Sequence, residues 1–529
     1  MLINPTKTVI NLSKVFRPVE ESVGELFGIQ SKNVILAKVY KNAHVVKKFD
    51  IVGFYSSVSD KKDLQVGVVI DKFLLDKEQW LKILCDIPEA QEILNAKENQ
   101  TKKSSDNVVF RLGSTDQFDF INRFVGIVIE DSTIDKIRFE YINNVNISEG
   151  DLLEVSVRDT KVIYQVVQGI TNTELLESKN ETGIIIGEAV QLGVWDAERS
   201  TFEKYGWVPD INSSVWLASS VEKPAVDTSE IQIGTIPNTN YPVLINLDDA
   251  ISHHIAVLGV TGTGKSVFTR NLIKQIIESD RKVICVDFTN EYKNKIPKLK
   301  TIISYNKNGT DQAQKSQADR IFEDIDWISE ELEKFANQRD KKELEKRSER
   351  IINEFQTAID AFIKSNEKIG LFELPDVSNT TGILEYTRSF FRTIFDMAKN
   401  QKLNKKLCIV IEEAHTVVPE WNFIGDRDKH ANSVVNAISQ IALQGRKYGI
   451  GFIIIAQRTA NVSKTVLTQC NSVIAFQQFD KTSAEFLANY MGTAMAEILP
   501  NLKFRQAVAV GRGFRTGVPV KFEVPKISE

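Results

Sequence analysis

The sequence predicts an α/β protein: a core with a largely parallel sheet in the second half of the chain, a small β-barrel before it and a helical insertion within it. Three observations predict this. After about residue 237, apolar strand-like runs alternate with helical segments. From about 119 to 223, short strands follow one another at the spacing of a small barrel. A glycine-rich loop, Gly259 to Ser266, joins an apolar strand to a helix.

In chain order, residues 1–118 mix short apolar runs with polar stretches such as Lys97 to Asn107, which reads as an exposed loop, and carry no recognisable chemistry. The barrel region, 119–223, opens with Phe124 to Ile129. Leu152 to Arg158 then alternates, with Leu153, Val155 and Val157 on one face and Glu154, Ser156 and Arg158 on the other. Lys161 to Gln168 and Gly183 to Gln191 follow, and Pro224 to Asn240 reads as a linker. In the core, 237–525, strands are expected at His254 to Leu258, Val283 to Asp287, Ile369 to Leu374, Leu407 to Ile411, Gly451 to Ala456 and Ser472 to Phe476. Helices are expected at Ser266 to Ile277, Leu384 to Ala398 and Val434 to Arg446. The insertion, about 313–365, shows apolar residues at three- and four-residue intervals: Ala318, Ile321, Phe322, Ile325, Ile328, Leu332 and Phe335, then Ile351, Ile352, Phe355, Ile359 and Phe362. Between them, Arg339 to Arg350 mixes charges of both signs, which suits an ion-paired, solvated helix face better than a DNA-binding patch. No repeat of fixed period is visible.

Composition bounds the function classes. The chain has 529 residues, 42% hydrophobic and 26% charged, as in an ordinary globular protein of several domains. Its net charge of −4, from 66 basic and 70 acidic residues, lacks the basic excess of a typical nucleic-acid binder. A ring with a lined pore requires only a local positive stripe, so DNA is not excluded. The four cysteines (Cys85, Cys285, Cys408, Cys470) form no C-x-x-C pair and supply no metal site. No signal-peptide pattern and no run of about 20 apolar residues is present, so the expectation is a cytoplasmic protein without a membrane partner.

The chemistry lies in two segments. Gly259-Val260-Thr261-Gly262-Thr263-Gly264-Lys265-Ser266 matches the phosphate-binding pattern G-x-x-x-x-G-K-[ST], and Val267 continues it into the helix. Its glycines let backbone N–H groups turn inward around phosphates, and the helix N-terminus adds a favourable dipole. Lys265 brings a positive charge to the β and γ phosphates, and Ser266 offers a hydroxyl to Mg²⁺. The expected cofactors are therefore ATP and Mg²⁺. The second segment, Leu407 to His415, is an apolar strand ending in Glu412 and Glu413. Carboxylates at the end of a buried strand require a partner. Glu412 is placed to hold the metal, and Glu413, pointing differently, to polarise the attacking water. His415 serves either a capping and coupling role or a chemical one. Gln457, ending another strand, is a candidate for contact with the γ-phosphate or the water. Arg446 closes a helix and is the candidate to enter a neighbouring copy's site, with Arg458 and Lys447 as rivals. Asp287 either supports the Mg²⁺ shell or caps a loop.

Together, His253 to Ser266, Val286 to Tyr292, Ile411 to His415, Gly445 to Gly449 and Ala456 to Arg458 resemble the HerA family of the HerA/FtsK superfamily, hexameric DNA translocases with a RecA-like core. The resemblance covers about 120–525. It implies that the strand-rich region is a HAS-type barrel and that about 510–525 is the closing C-terminal extension. It implies Lys265 and Ser266 as the Walker A pair, Glu412 as the Walker B acid, Glu413 as the catalytic base, Gln457 as sensor and Arg446 as trans-acting finger. The sequence departs at Glu412, where the family commonly has Asp, and the extra methylene shifts the carboxylate by about a bond length. The resemblance further implies a homohexamer, double-stranded DNA as substrate, and a separate nuclease or effector protein, as in repair or bacterial antiviral systems. Residues 1–118 lie outside it and form a candidate docking surface. A second functional reading is an ATP-regulated hexameric scaffold that controls an effector without processive movement.

Overall fold

The computed structural model describes residues 22–55, 64–85, 107–111, 123–171, 184–287, 292–303, 316–373, 380–420 and 429–526, with short breaks at 32, 44, 143–144, 223–225, 280, 293–295, 297–298, 336, 402 and 404. The polar stretch 97–106 and residues 288–291 of the quoted motifs lie outside the described residues. The chain divides into two units, 1–194 with 204–219 and 195–203 with 220–529.

The first unit holds two barrels. Strands β1 (Ser22–Ser31), β2 (Val34–Val39), β3 (Ile51–Tyr55), β4 (Leu64–Leu75), β5 (Glu78–Leu84) and β6 (Val108–Arg111) close in the order β1-β2-β5-β4-β3-β6. Val23, Ala37, Val52, Phe54, Val69, Leu81, Ile83 and Val109 fill the interior. The second set is β7 (Phe124–Val128), β8 (Lys136–Ile142), β9 (Leu152–Val157), β10 (Thr160–Ile170), β11 (Ile184–Asp196) and β13 (Ser214–Leu217), the short β12 (Thr201–Glu203) belonging to the second unit. Its order is β10-β9-β13-β7-β8-β11, and a further β10–β11 pairing closes the ring. Read from β7, that ring runs first, second, fifth, fourth, third, last, the same antiparallel order as the first barrel. The chain thus carries a structural repeat, although its sequence shows no periodic one. Phe124 and Trp216 of the second barrel pack against Val66 and Val68 of the first. Lys48 and Glu140, both buried, pair across the two at 2.5 Å.

The second unit is built on an eleven-stranded sheet. Its strands are β14 (Glu230–Thr235), β15 (Pro242–Asn246), β16 (Ile255–Leu258), β17 (Lys282–Asp287), β18 (Leu299–Ile303), β19 (Ile369–Glu373), β20 (Leu407–Ile411), β21 (Ile450–Ala456), β22 (Ser472–Ala475), β23 (Gln506–Gly511) and β24 (Val520–Glu523). The order is β15-β14-β24-β23-β22-β16-β21-β20-β17-β19-β18. The run from β22 to β18 is parallel, and the flank from β23 to β15 is antiparallel. Strands β16, β17, β20 and β21 are buried at every position, as expected of parallel strands covered on both faces. The stretch expected as a linker is corrected here: within it β14 pairs with β15 and with β24 near the C-terminus.

Among the described residues the helices are α1 (Leu247–Ser252), α2 (Lys265–Glu278), α3 (Gln317–Glu333), α4 (Lys341–Lys364), α5 (Thr380–Lys399), α6 (Lys429–Gly445), α7 (Lys464–Leu467), α8 (Lys481–Met491) and α9 (Thr493–Glu497). The insertion is α3 and α4, between β18 and β19. Ser316 and Asp319 form a capping box at the head of α3, and Asp340 caps α4. Phe355 of α4 meets Tyr386 and Phe390 of α5, and Phe390 stacks on Phe372 of β19 at 3.7 Å between centroids. The charged start of α4 is ion-paired: Arg347 and Arg350 hold Asp324 of α3 at 3.0 and 2.7 Å, and Arg347 also meets Glu343 at 3.1 Å. Among the described residues no helix is long and apolar enough to cross a membrane.

Candidate nucleotide site

Strand order creates the site. β16, β21 and β20 are adjacent and parallel, so the residues following their C-terminal ends emerge on one edge of the sheet. These are the loop 259–264, Gln457 and the Glu412–Glu413 pair.

The loop leaves β16 at Gly259, whose φ is +150°. A Cβ there would stand 2.6 Å from that of Phe476, so only glycine fits. Gly264, at φ +106°, turns the chain into α2. The loop is held by its own backbone: Val260 N–H donates to Gln477 O at 2.9 Å, and the Thr263 hydroxyl donates to Val260 O at 2.8 Å. Lys265, 6% exposed, donates from Nζ to the same Val260 oxygen at 2.7 Å, which keeps its ammonium against the curl of the loop. Ser266 and Val267 follow in the first turn of α2.

The two glutamates diverge. Glu413 has φ +47°, a left-handed conformation uncommon for a side-chain-bearing residue. That turn sends consecutive carboxylates to different partners. Glu412, 5% exposed, accepts a 2.6 Å hydrogen bond from the hydroxyl of buried Tyr292. Burial, with the Glu412 carboxylate beside it, holds the Tyr292 hydroxyl well above its ordinary pKa, so it stays a donor. Glu413 accepts from Nε2 of Gln457 through Oε1, and Nδ1 of His415 lies 3.3 Å from its Oε2. Gln457 Oε1 in turn accepts from the Thr261 hydroxyl at 2.5 Å. One hydrogen-bonded chain therefore runs from the loop to the second glutamate: Thr261, Gln457, Glu413.

Asp287 accepts the N–H of Tyr292 at 3.0 Å, the loop-capping geometry of the two readings it had. The structure does not bring Arg446 to this edge. It lies in a short 3-10 turn, Arg446–Tyr448, just before β21, where Gly449 O receives the N–H of Leu407 at the start of β20. The seven residues of β21 separate it from Gln457 by roughly 20 Å. Arg458, exposed and adjacent to Gln457, is on the nucleotide edge. Sequence reasoning missed Tyr292 as a partner of Glu412, 120 residues away. The available signal was an aromatic hydroxyl five positions beyond a strand-end aspartate.

A hydroxyl from Ser266 and a carboxylate from Glu412 at one sheet edge are hard oxygen donors. Mg²⁺ commonly uses one or two such protein ligands and completes its shell with phosphates and water. No group of three or more His, Cys, Asp or Glu side chains able to hold a metal occurs among the described residues, so a dedicated all-protein cage is not what this edge offers.

The family described as Helicase HerA, central domain, matches residues 231–406, a span that includes the glycine-rich loop and ends just before β20. A probable helicase of Methanocaldococcus jannaschii is 23% identical over 500 residues, covering 76% of this chain and 94% of its own length. The DNA double-strand break repair helicase HerA of Saccharolobus solfataricus is 24% identical, covering 56% of this chain and 69% of its own length. Among solved structures, VirB4 of Thermoanaerobacter pseudethanolicus is similar over 59% of this chain and 99% of its own, at 15% identity and a TM-score of 0.38, too loose a superposition to bear on function. With the loop, the paired glutamates and the glutamine on one edge of a parallel sheet, the chain is an ATP-hydrolysing P-loop enzyme whose residues 231–406 match the HerA central domain and which is similar to HerA helicases over much of its length.

Proposed function

We propose that the chain is the motor of an ATP-driven double-stranded DNA translocase, acting as a ring of six copies with a separate nuclease or effector. The observation that carries the motor assignment is the polar chain Thr261–Gln457–Glu413, which ties the phosphate loop to the base. DNA as the substrate is supported by the relatives described as DNA double-strand break repair helicases.

In this reading Lys265 and the amides of 259–267 hold the triphosphate, with the Lys265 charge exchanging Val260 O for phosphate oxygens. Ser266 and Glu412 would hold Mg²⁺, and Tyr292 fixes the Glu412 carboxylate. Bound Mg²⁺ supplies charge neutralisation across the phosphates. Glu413 takes the proton of the attacking water. Gln457 is bonded to both the loop and the base, so a shift of Thr261 on phosphate binding reaches Glu413 through one side chain. Arg446, at the opposite edge from its own site, serves the site of a neighbouring copy.

The scaffold reading draws support from the first barrel, whose Phe27 and Leu74 are about three-quarters exposed. Glu413→Gln tests the motor chemistry. The amide keeps the shape and removes the base, so the variant should retain ATP affinity while turnover falls about 10²-fold or more. Loss of ATP affinity with the turnover of the remaining complexes unchanged would remove Glu413 from the role.

A further inference from the structure

We infer that Phe504 is the platform on which the base of the bound nucleotide stacks, an inference that rests on the loop 259–266 gripping the triphosphate. Phe504 is 64% exposed although it lies in an ordered turn of the second unit. A single exposed aromatic is ordinary on a protein surface; the position of this one is not. The turn is bonded directly to the phosphate loop, because Arg505 N–H donates to Thr263 O at 3.1 Å. A Cβ placed on Gly264 would stand 3.7 Å from Cε2 of Phe504 and 3.9 Å from Cα of Arg505, so the ring borders the residue that opens α2.

The turn is built to hold that ring outward. Gln506 N–H donates to Lys503 O at 2.9 Å, and its side-chain oxygen accepts from Lys503 N–H at 3.1 Å. Arg505 sits at φ +66°, a conformation that a non-glycine residue keeps only when its surroundings enforce it. Its guanidinium is tied to Glu523 at 2.7 Å, and its carbonyl accepts from Val524 N–H at 2.8 Å. Each end of the turn is thereby fastened to the sheet and the loop, and the phenyl ring projects from it.

Phosphates held by amides at the head of a helix tether the nucleoside within a few ångströms of the loop's rim. Phe504 is an apolar π-surface at that rim, on a rigid support that has already met its ordering cost. Base–aromatic stacking tolerates any base, since every base has a π-face, so Phe504 contributes affinity rather than discrimination between ATP and GTP.

The test is titration calorimetry on the full chain with Mg²⁺, using ATP, GTP and inorganic tripolyphosphate as probes. Phe504→Ala should weaken ATP and GTP roughly 5- to 150-fold, leave tripolyphosphate unchanged, and be rescued by Phe504→Trp. In the tryptophan variant, ATP should quench emission beyond the wild-type change, and tripolyphosphate should not. Unchanged ATP affinity in Phe504→Ala, or equal loss of ATP and tripolyphosphate, overturns the inference. Lys265→Ala separates the two levels. If it loses both ligands while Phe504→Ala loses neither, the phosphate grip stands and the stacking assignment falls.

Discussion

Tyr292→Phe deletes one oxygen from the centre of the site. The hydroxyl donates at 2.6 Å to a Glu412 carboxylate only 5% exposed, so the variant leaves a buried acceptor short of a donor. A hydrogen bond to a charged group contributes about 1.5–3 kcal/mol, and losing an outer partner of a metal ligand costs about 10- to 100-fold in metal affinity or activity. The expected outcome is a Mg²⁺ concentration for half-maximal ATPase raised by about ten-fold or more, with maximal turnover at saturating Mg²⁺ much less affected. The sign of any pH dependence follows from the hydroxyl's pKa, which lies above its ordinary value of 10.0 because of burial and the neighbouring carboxylate. A raised folded-state pKa contributes stability in full below the unfolded value, lost only as pH rises through the folded one. The wild-type to variant ratio should therefore be flat between about pH 6 and 9. ATPase titrations with Mg²⁺ at three pH values check it. An unchanged half-saturation point with an unchanged Tm would refute the claim that Tyr292 positions Glu412.

Two further variants test the trans site and the fold. Arg446→Ala should bind ATP nearly normally and turn it over poorly; mixed with Lys265→Ala subunits it should regain partial activity, and a verified mixed ring with no recovery contradicts the neighbour assignment. Lys282, buried in β17, donates to the carbonyls of Phe362, Ser365 and Glu367 at 2.7, 2.7 and 2.9 Å, closing the end of α4. Lys282→Met leaves those oxygens without their charged donor and should cost about 2–4 kcal/mol, lowering the Tm of this unit by about 3–6 °C in a melt followed by circular dichroism.

Local signals carried the parts of this chain that depend on neighbours in sequence. The loop 259–266 announced itself because glycine spacing, a preceding apolar strand and a following helix are all local. The Glu412–Glu413 pair was visible as an abrupt polar end to an apolar run. Tyr292 was invisible as a partner of Glu412 because their contact depends on β17 and β20 being neighbours, a fact of strand order. The first barrel escaped for a related reason. Its strands β1 and β4 contain register shifts that break clean alternation, and its closure joins β1 to β6 across most of the region. The repeat between the barrels lies in pairing order and not in residue identity or spacing. β14 has the sequence of a linker because a short strand containing Gly234 has little local signature, and its partner β24 is supplied from much later in the chain. The location of Arg446 was partly legible: a residue preceding a parallel strand emerges at the edge opposite one that follows it.

The most direct test of a DNA motor is displacement of a third strand from a triplex by the full chain with ATP, Mg²⁺ and its partner if one is required, run beside ATP turnover with and without duplex DNA. Duplex DNA should raise turnover, and the third strand should be displaced by wild type but not by Glu413→Gln. Turnover indifferent to duplex DNA, together with no displacement by wild type, would contradict the motor assignment.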